Sequence, residues 1–298
     1  MNGGAATVSV CVPALNAEPF IAATVESVLA QTHQDWQLVV VDNASADRTA
    51  EIVRSYGDPR IKLVTNERTV SMVENWNRAV AAADAPLVKL LCADDLIDPS
   101  CLARQLAAID QAPGAALVAG LRDVIDDDGT VVLCDRGLAG IVGVHDGPDV
   151  LRRLVASGTN TIGWPAAVLF RRDHFEQVGG FREEWSLLMD LDLWTRLLPM
   201  GSFVGLEHSV ASFRVWSQAT SASATTLGPR HRALLRLVAT DEVNGIGPWT
   251  LRRGLALTSL ESLKRRLLYA AVGSRSAVLR RLPSLLVQPR RAIESLTP

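Results

Sequence analysis

The feature that most limits the folds open to this chain is a regular alternation in its first hundred residues. Short apolar runs at residues 8–13 (VSVCVP), 36–41 (WQLVVV), 61–64 (IKLV) and 86–91 (PLVKLL) alternate with segments of different patterning. In two of those segments the apolar residues recur at helical spacing: Ile21, Val25, Val28 and Leu29 form one stripe, Met72, Trp76, Ala79 and Val80 another. Apolar positions three to four apart line one face of a helix, whereas a short, continuously apolar run suits a strand buried on both faces. Strands that alternate with helices argue for parallel pairing, because a crossover helix returns the chain to the same end of the sheet. The sequence therefore predicts an α/β fold, a mostly parallel central sheet flanked by helices. Ser45 and Asp47 are the cap candidates for the helix after the second run.

The second half is more mixed. Apolar runs at residues 115–119, 131–133 and 166–170 are separated by turn-rich stretches such as Asp126-Asp127-Asp128-Gly129, and a helical pattern runs from near Asp190 to Gly201. From Gly228 onward the pattern is helical and Arg-rich. Here composition matters: residues 228–298 hold 13 Arg or Lys against 4 Asp or Glu, whereas residues 1–227 hold 17 against 28. The expected organisation is one domain over residues 1–227 with a basic helical C-terminal region at residues 228–298. Cys11, Cys92, Cys101 and Cys134 show no CxxC spacing and are read as reduced thiols. Neither a secretory leader nor an apolar run long enough to span a bilayer is found, so the expected location is cytoplasmic.

Several well-defined chemistries are excluded, because GxGxxG, GxxxxGK[ST], HExxH and GxSxG are all missing. What the chain has instead is carboxylates where strands end: Asp42 after the second run, Asp94 and Asp95 after the fourth. The carboxyl edge of an open parallel sheet is where ligands bind. Two adjacent carboxylates facing a cleft repel each other, which calls for a raised pKa or a bound cation. A hard divalent ion such as Mg²⁺ or Mn²⁺ takes oxygen ligands from one or two carboxylates and lets substrate phosphates complete its shell. Alone, Asp94-Asp95 before Leu96 and Pro99 reads more readily as a capped strand-to-helix turn.

The order of motifs changes that balance. Val8-Ser-Val-Cys-Val-Pro-Ala-Leu-Asn16, Val41-Asp-Asn-Ala-Ser-Ala-Asp-Arg-Thr49, Asn75-Trp-Asn-Arg-Ala79 and Leu91-Cys-Ala-Asp-Asp-Leu-Ile-Asp-Pro99 resemble the successive signatures of glycosyltransferase family 2. The resemblance continues through Gly179-Gly-Phe181, Met189-Asp-Leu-Asp-Leu-Trp-Thr-Arg-Leu197 and Phe213-Arg214. It implies a GT-A fold, with residues 7–110 as the nucleotide-sugar half and 111–227 as the acceptor half. It also implies inverting transfer of a sugar from a nucleoside diphosphate sugar to a hydroxyl acceptor (a glycan, a lipid-linked saccharide or a small molecule), with Mg²⁺ or Mn²⁺.

By the same resemblance, Pro13, Ala14, Asn16 and Glu18 line the nucleotide pocket. Asp42 accepts a hydrogen bond from the base, Asn43, Arg68 and Asn75 belong to the donor site, and Asp94 and Asp95 share ribose, metal and diphosphate. Asp190 is the expected general base, since an inverting transfer needs a carboxylate to take the acceptor's proton. Its competing role is to cap the helix holding Leu193, Trp194 and Leu197. Trp164 is the acceptor-pocket candidate, and Trp194 is expected in the core. Two departures stand out: Cys92 where many relatives have an acid, and Trp216 where many have a histidine.

In the basic region, Leu260, Leu263, Leu267 and Leu268 share a helical face beside Lys264, Arg265 and Arg266. Such a helix either lies on an anionic membrane surface or packs its leucines on the domain and solvates its arginines. Nucleic acid is not an expected partner, because the basic residues are not interleaved with aromatics. A homo-oligomer is compatible with all of this. The rival activities are a nucleotidyltransferase, which shares acidic metal chemistry at a sheet edge, and a non-catalytic binding scaffold.

Overall fold

A computed structural model describes residues 6–216, 227–241, 244–258 and 260. The predicted alternation is present: β1 (Val8–Ala14), α1 (Ile21–Leu29), β2 (Trp36–Asp42), α2 (Thr49–Ser55), β3 (Ile61–Thr65), α3 (Met72–Ala81) and β4 (Leu87–Leu90). Next come a short β5 (Leu96–Ile97), α4 (Cys101–Gln111), a long β6 (Ala115–Ile125), β7 (Val131–Arg136), β8 (Gly143–Asp146) and α5 (Gly147–Ser157). They are followed by β9 (Val168–Arg171), α6 (Arg172–Gln177), α7 (Met189–Leu197), β10 (Ser202–Arg214) and α8 (Leu227–Thr240).

All ten strands belong to one sheet, whose main path runs β3-β2-β1-β4-β9-β6-β10-β5, with β7 on β6 and β8 on β10. β1, β2, β3 and β4 pair in parallel, and β10 pairs parallel to β6. β9 runs antiparallel to both β4 and β6 and so aligns those two in direction. Six strands on the main path therefore point the same way, as a mostly parallel sheet demands. The sheet is continuous across the two expected halves. One apolar core on each face, with Phe170, Trp194 and Phe203 in one and Trp36, Leu102 and Leu169 in the other, draws on both.

Helix α5 falls in sequence read as turn-rich, and α4 in a stretch for which the sequence reading assigns no element. The signals for α5 are nonetheless local: the Asp146 side chain accepts from the Asp149 amide at 3.1 Å, Pro148 sits in the first turn, and Gly158 closes the helix at φ 65°. The basic region is helical as far as it is described. α8 buries His231, Leu234, Leu235 and Val238, and a further helix covers residues 248–258. Gly254 in that helix meets the end of α5 so closely that a Cβ would lie 1.9 Å from the Val155 carbonyl oxygen. The Lys264–Arg266 cluster, Leu263, Leu267, Leu268 and the later arginine pairs lie outside the described residues.

Candidate active site at the carboxyl edge of the sheet

Because six strands share one direction, their carboxyl ends deliver a set of polar side chains to a single edge. Asp42 ends β2, the turn after β4 carries Cys92, Asp94 and Asp95, Asp126 follows β6, and Arg214 ends β10 with Trp216 beyond it. Asp42 is 1% exposed; its Oδ2 accepts from the Ser45 amide at 3.2 Å, while the buried Oδ1 has no partner among the described residues. A buried carboxylate oxygen left unpaired costs free energy unless a donor arrives, so Asp42 is built to accept a hydrogen bond.

The Asp94-Asp95 turn is held from the other half of the chain. The Arg214 amide donates to Asp95 Oδ1 at 2.9 Å, its Nε donates to the Asp94 carbonyl at 2.9 Å, and its Nη1 reaches the Asp126 and Asp127 carbonyls at 2.8 and 3.0 Å. β5 pairing with Ala211 and Ser212 of β10 sets that register. Trp216 donates its indole N–H to Asp94 Oδ2 at 2.9 Å and packs edge-on against Phe20, with centroids 5.1 Å apart. The departure from histidine thus retains a donor to this carboxylate.

Burial raises the pKa of Asp94, and burial together with the adjacent Asp94 raises that of Asp95 well above the carboxylate range. Burial, reinforced by Asp95, Asp94 and Asp190, pushes the Cys92 thiol up as well, so this residue adds no charge. Ligand atoms of Cys92, Asp94 and Asp95 lie within 4.8 Å of one another, and among the described residues the buried Asp95 Oδ2 has no hydrogen-bond partner. An unpaired oxygen in a crowded acidic turn fits a divalent cation.

Asp190 lies in the first turn of α7, whose N-cap is Leu188, so Asp190 does not cap the helix. It is partly accessible, and Asn160 donates to its Oδ2 at 3.1 Å. Burial pushes its carboxyl up to about 6, against the lowering influence of backbone amides, Arg122 and Asn160. That value suits a base working near neutrality. Asp192, two residues farther and so on another side of the helix, is fully buried between Arg182 and Arg196, with Arg196 Nη2 at 2.6 Å, so the two acids of the motif sit in different surroundings.

The other predicted residues divide between lining and bracing. Pro13 and Ala14 end β1 at this edge, buried beside Asp42 in the register. Asn16 (φ 49°) accepts from the Ala46 amide at 2.9 Å, and Glu18 accepts from the Arg48 amide at 3.0 Å, so both side chains tie the β1–α1 loop to the β2–α2 loop. Ser45 and Asp47 take part in that brace, receiving the Asn16 and Glu18 amides. Asn43 holds Val70 through both ends of its side-chain amide, Nδ2 donating to the Val70 carbonyl and Oδ1 accepting the Val70 N–H; Oδ1 also accepts from Asn66 Nδ2, which donates to Asn75 Oδ1 at 2.8 Å. Asn43 and Asn75 are thus buried supports beneath the donor side. Arg68 is exposed on the loop after β3, at the far edge of the parallel strands. Trp164 stacks on Phe213 at 3.8 Å and 7°, with the Arg122 guanidinium 4.2 Å from its centroid. A ring at 3.8 Å fills one face, so Arg122 occupies the other and only the edge of Trp164 is left to meet an acceptor. Trp194 is in the core, as expected, donating to the Gly163 carbonyl.

The family model described as "Glycosyl transferase family 2" matches residues 9–179, more than half of the chain. The chain belongs to glycosyl transferase family 2. An uncharacterized protein of Mycobacterium tuberculosis is 30% identical over 270 residues, covering 86% of this chain and 82% of that protein. Among solved structures, S. aureus TarS residues 1–349 in complex with UDP-GlcNAc matches with a TM-score of 0.66 at 18% identity, over 89% of this chain and 80% of that one. A mannosyltransferase from Pyrobaculum calidifontis in complex with GDP-Man and Mn²⁺ matches with a TM-score of 0.59 at 19% identity, over 95% and 80%. These likenesses establish the GT-A fold.

This family 2 glycosyltransferase carries site residues that the sequence reading left out. Asn160 and Arg122 were not singled out, since an Asn in a loop and an Arg in a strand give no periodic or motif signal. Arg214 was noticed, but its clamp on the acidic turn depends on β10 lying beside β5, which only the fold shows.

Proposed function

We propose that this glycosyltransferase moves a sugar, with inversion, from a nucleoside diphosphate sugar to a hydroxyl acceptor, with a divalent cation at Asp94 and Asp95. The observation that carries this reading is the presence, beside the Cys92–Asp95 turn, of two carboxyls with spare capacity: a buried Asp95 oxygen without a partner among the described residues, and Asp190, whose pKa burial raises to about 6. The nucleotide sugars in the two solved relatives, one with Mn²⁺, support it. Asp42 offers its unpaired oxygen to the nucleobase, and Arg68, exposed on the loop after β3, is the candidate for phosphate contact from the outer side of the sheet. Asp94 and Asp95 would hold Mg²⁺ or Mn²⁺, which supplies stabilisation of the negative charge on the departing diphosphate.

Asp190, oriented by Asn160, takes the proton of the acceptor hydroxyl. The acceptor oxygen then bonds to the anomeric carbon from the face opposite the diphosphate, whose bond to that carbon breaks. The edge of Trp164 borders the acceptor side. Analysis of the released nucleotide tests the reading: a nucleoside diphosphate is expected, and pyrophosphate release would instead establish a nucleotidyltransferase.

Contact with an anionic membrane is supported by Trp249, which is 80% exposed at the start of helix 248–258 with the Arg252 guanidinium 5.3 Å from its ring. Interfacial helices commonly combine such an aromatic with arginines. Among the described residues no helix is long and apolar enough to cross a membrane. Sedimentation with phosphatidylglycerol vesicles, lost in Trp249→Ala, is the expected result; equal binding to neutral vesicles would contradict it.

A further inference from the structure

Arg122 is the least explained cation in the cleft. It rises from β6, is 7% exposed, and among the described residues its buried Nε has no partner. Among those residues its guanidinium hydrogen-bonds only to the Arg136 carbonyl oxygen, through Nη1 at a long 3.4 Å. Burying a charge without a paired counter-charge is expensive, so a retained buried cation needs compensation from somewhere. The fold has nevertheless built it a seat. Gly137 (φ +107°) and Gly163 (φ +123°) leave the space Nη1 occupies, since a Cβ on either would approach it to 2.3 or 2.4 Å, and Trp164 covers the guanidinium face.

We infer that Arg122 is a positioning residue for Asp190, holding that carboxylate ionised by its charge and oriented through the loop it leans on. The inference rests on Asp190 being the base. Gly163, against which Arg122 packs, donates its N–H to Asn160 Oδ1 at 2.9 Å and accepts from Asn160 Nδ2 at 3.0 Å; the same Nδ2 donates to Asp190. Gly163 also accepts from Trp194 of α7, which ties the loop to the helix that carries the base. Displacing the guanidinium would therefore disturb both the charge and the hinge of the Asp190 contact.

The other charged groups around the cleft do not replace it. From the turn after β4 come Asp94 and Asp95, which are acidic, and the Cys92 thiol, which is held protonated. Arg136 on β7 faces Arg122 and repels it, whereas Asp190 and Asp95 favour its charge. On α7 itself Asp192 is engaged by Arg182 and Arg196. Compensation for Arg122 is thus supplied at range by Asp190 and Asp95, and Arg122 in return counters the effect of burial on Asp190.

The test is a ¹³C-carboxyl NMR titration of Asp190 in the full, metal-free chain, assigned by loss of its signal in Asp190→Asn, alongside the pH profile of kcat with Mn²⁺. In Arg122→Gln the Asp190 midpoint should rise by about one pH unit, the acid limb of kcat should move with it, and the donor KM should hold. Arg122→Lys keeps the charge and should leave the midpoint near that of the wild type; a full-unit rise there would overturn the electrostatic account even if Arg122→Gln failed to fold. An unmoved midpoint in folded Arg122→Gln overturns the inference. If the midpoint moves and the kcat limb does not, the coupling stands and Asp190 is not the base.

Discussion

Replacing Asp190 by Asn should abolish sugar transfer and at the same time make the protein more stable. The ionised carboxylate is disfavoured in the fold, because its pKa rises from 3.8 to about 6. A shift of that size corresponds to about 3 kcal/mol at pH values above both pKa values. Solvent at this partly accessible side chain reduces the usable figure to about 1–3 kcal/mol.

The sign follows from linkage. With the folded pKa raised, the native state binds the proton more tightly, so the contribution to stability is fully present below 3.8 and is lost as pH rises through about 6. Asn cannot ionise, so the advantage of Asp190→Asn over wild type should be small at or below pH 3.8, about half developed near pH 5 and complete by pH 8. Urea unfolding of both proteins across that range, in chelator so that no cation relieves the acidic cluster, measures it. An Asn variant that is less stable at pH 8, or an advantage that does not change with pH, would refute the reasoning. A gain in stability on losing an active-site group is the usual sign of a site that trades one for the other.

The neighbouring acid should behave oppositely: Asp192→Asn strips a fully buried carboxylate from Arg182 and Arg196 and should lower stability by about 3 kcal/mol, with an unchanged urea midpoint counting against the buried pair. Trp216→Phe keeps the ring against Phe20 but removes the N–H held by Asp94; donor KM should rise about five-fold, as the loss of one hydrogen bond implies, and an unaltered KM would show that the contact does not matter to donor binding. Gly254→Ala forces a Cβ to within 1.9 Å of the Val155 carbonyl oxygen; the 248–258 helix should become sensitive to limited proteolysis while the sheet resists, and full resistance would mean that the helix adapts.

The parallel part of the fold was legible because its signals are local. Each apolar run ends at or beside a polar residue and each helix shows its stripe, so β1 to β4 lie within a residue or two of their expected places. Helix α5 was equally legible from Asp146, Pro148 and Gly158, but a polar, turn-rich neighbourhood obscured it. Asp42, Asp94, Asp95 and Asp190 could be picked out because motif order and strand ends mark them. Their partners could not. Asn160 meets Asp190 across 30 residues of chain, Trp216 meets Asp94 across 122, and Arg214 reaches the acidic turn across 120. Nothing local encodes such pairings. The two contacts to the acidic turn appear only once β10 is laid beside β5, and the Asn160 contact only once α7 packs against the loop before β9. Similarly, Asn43 and Asn75 belong to a donor-side motif by sequence, yet their amides are engaged within the protein.

Metal-dependent donor binding is the most direct test of the central claim, because any ligand that binds only the folded state raises its apparent stability. The melting temperature of the wild-type chain, measured with a panel of nucleotide sugars in the presence and absence of Mn²⁺, should rise for at least one nucleoside diphosphate sugar only when the cation is present. The same rise should vanish in Asp95→Ala and persist in Asp190→Asn. A rise of equal size without the cation, or one that survives in Asp95→Ala, would contradict the proposed role of the acidic turn.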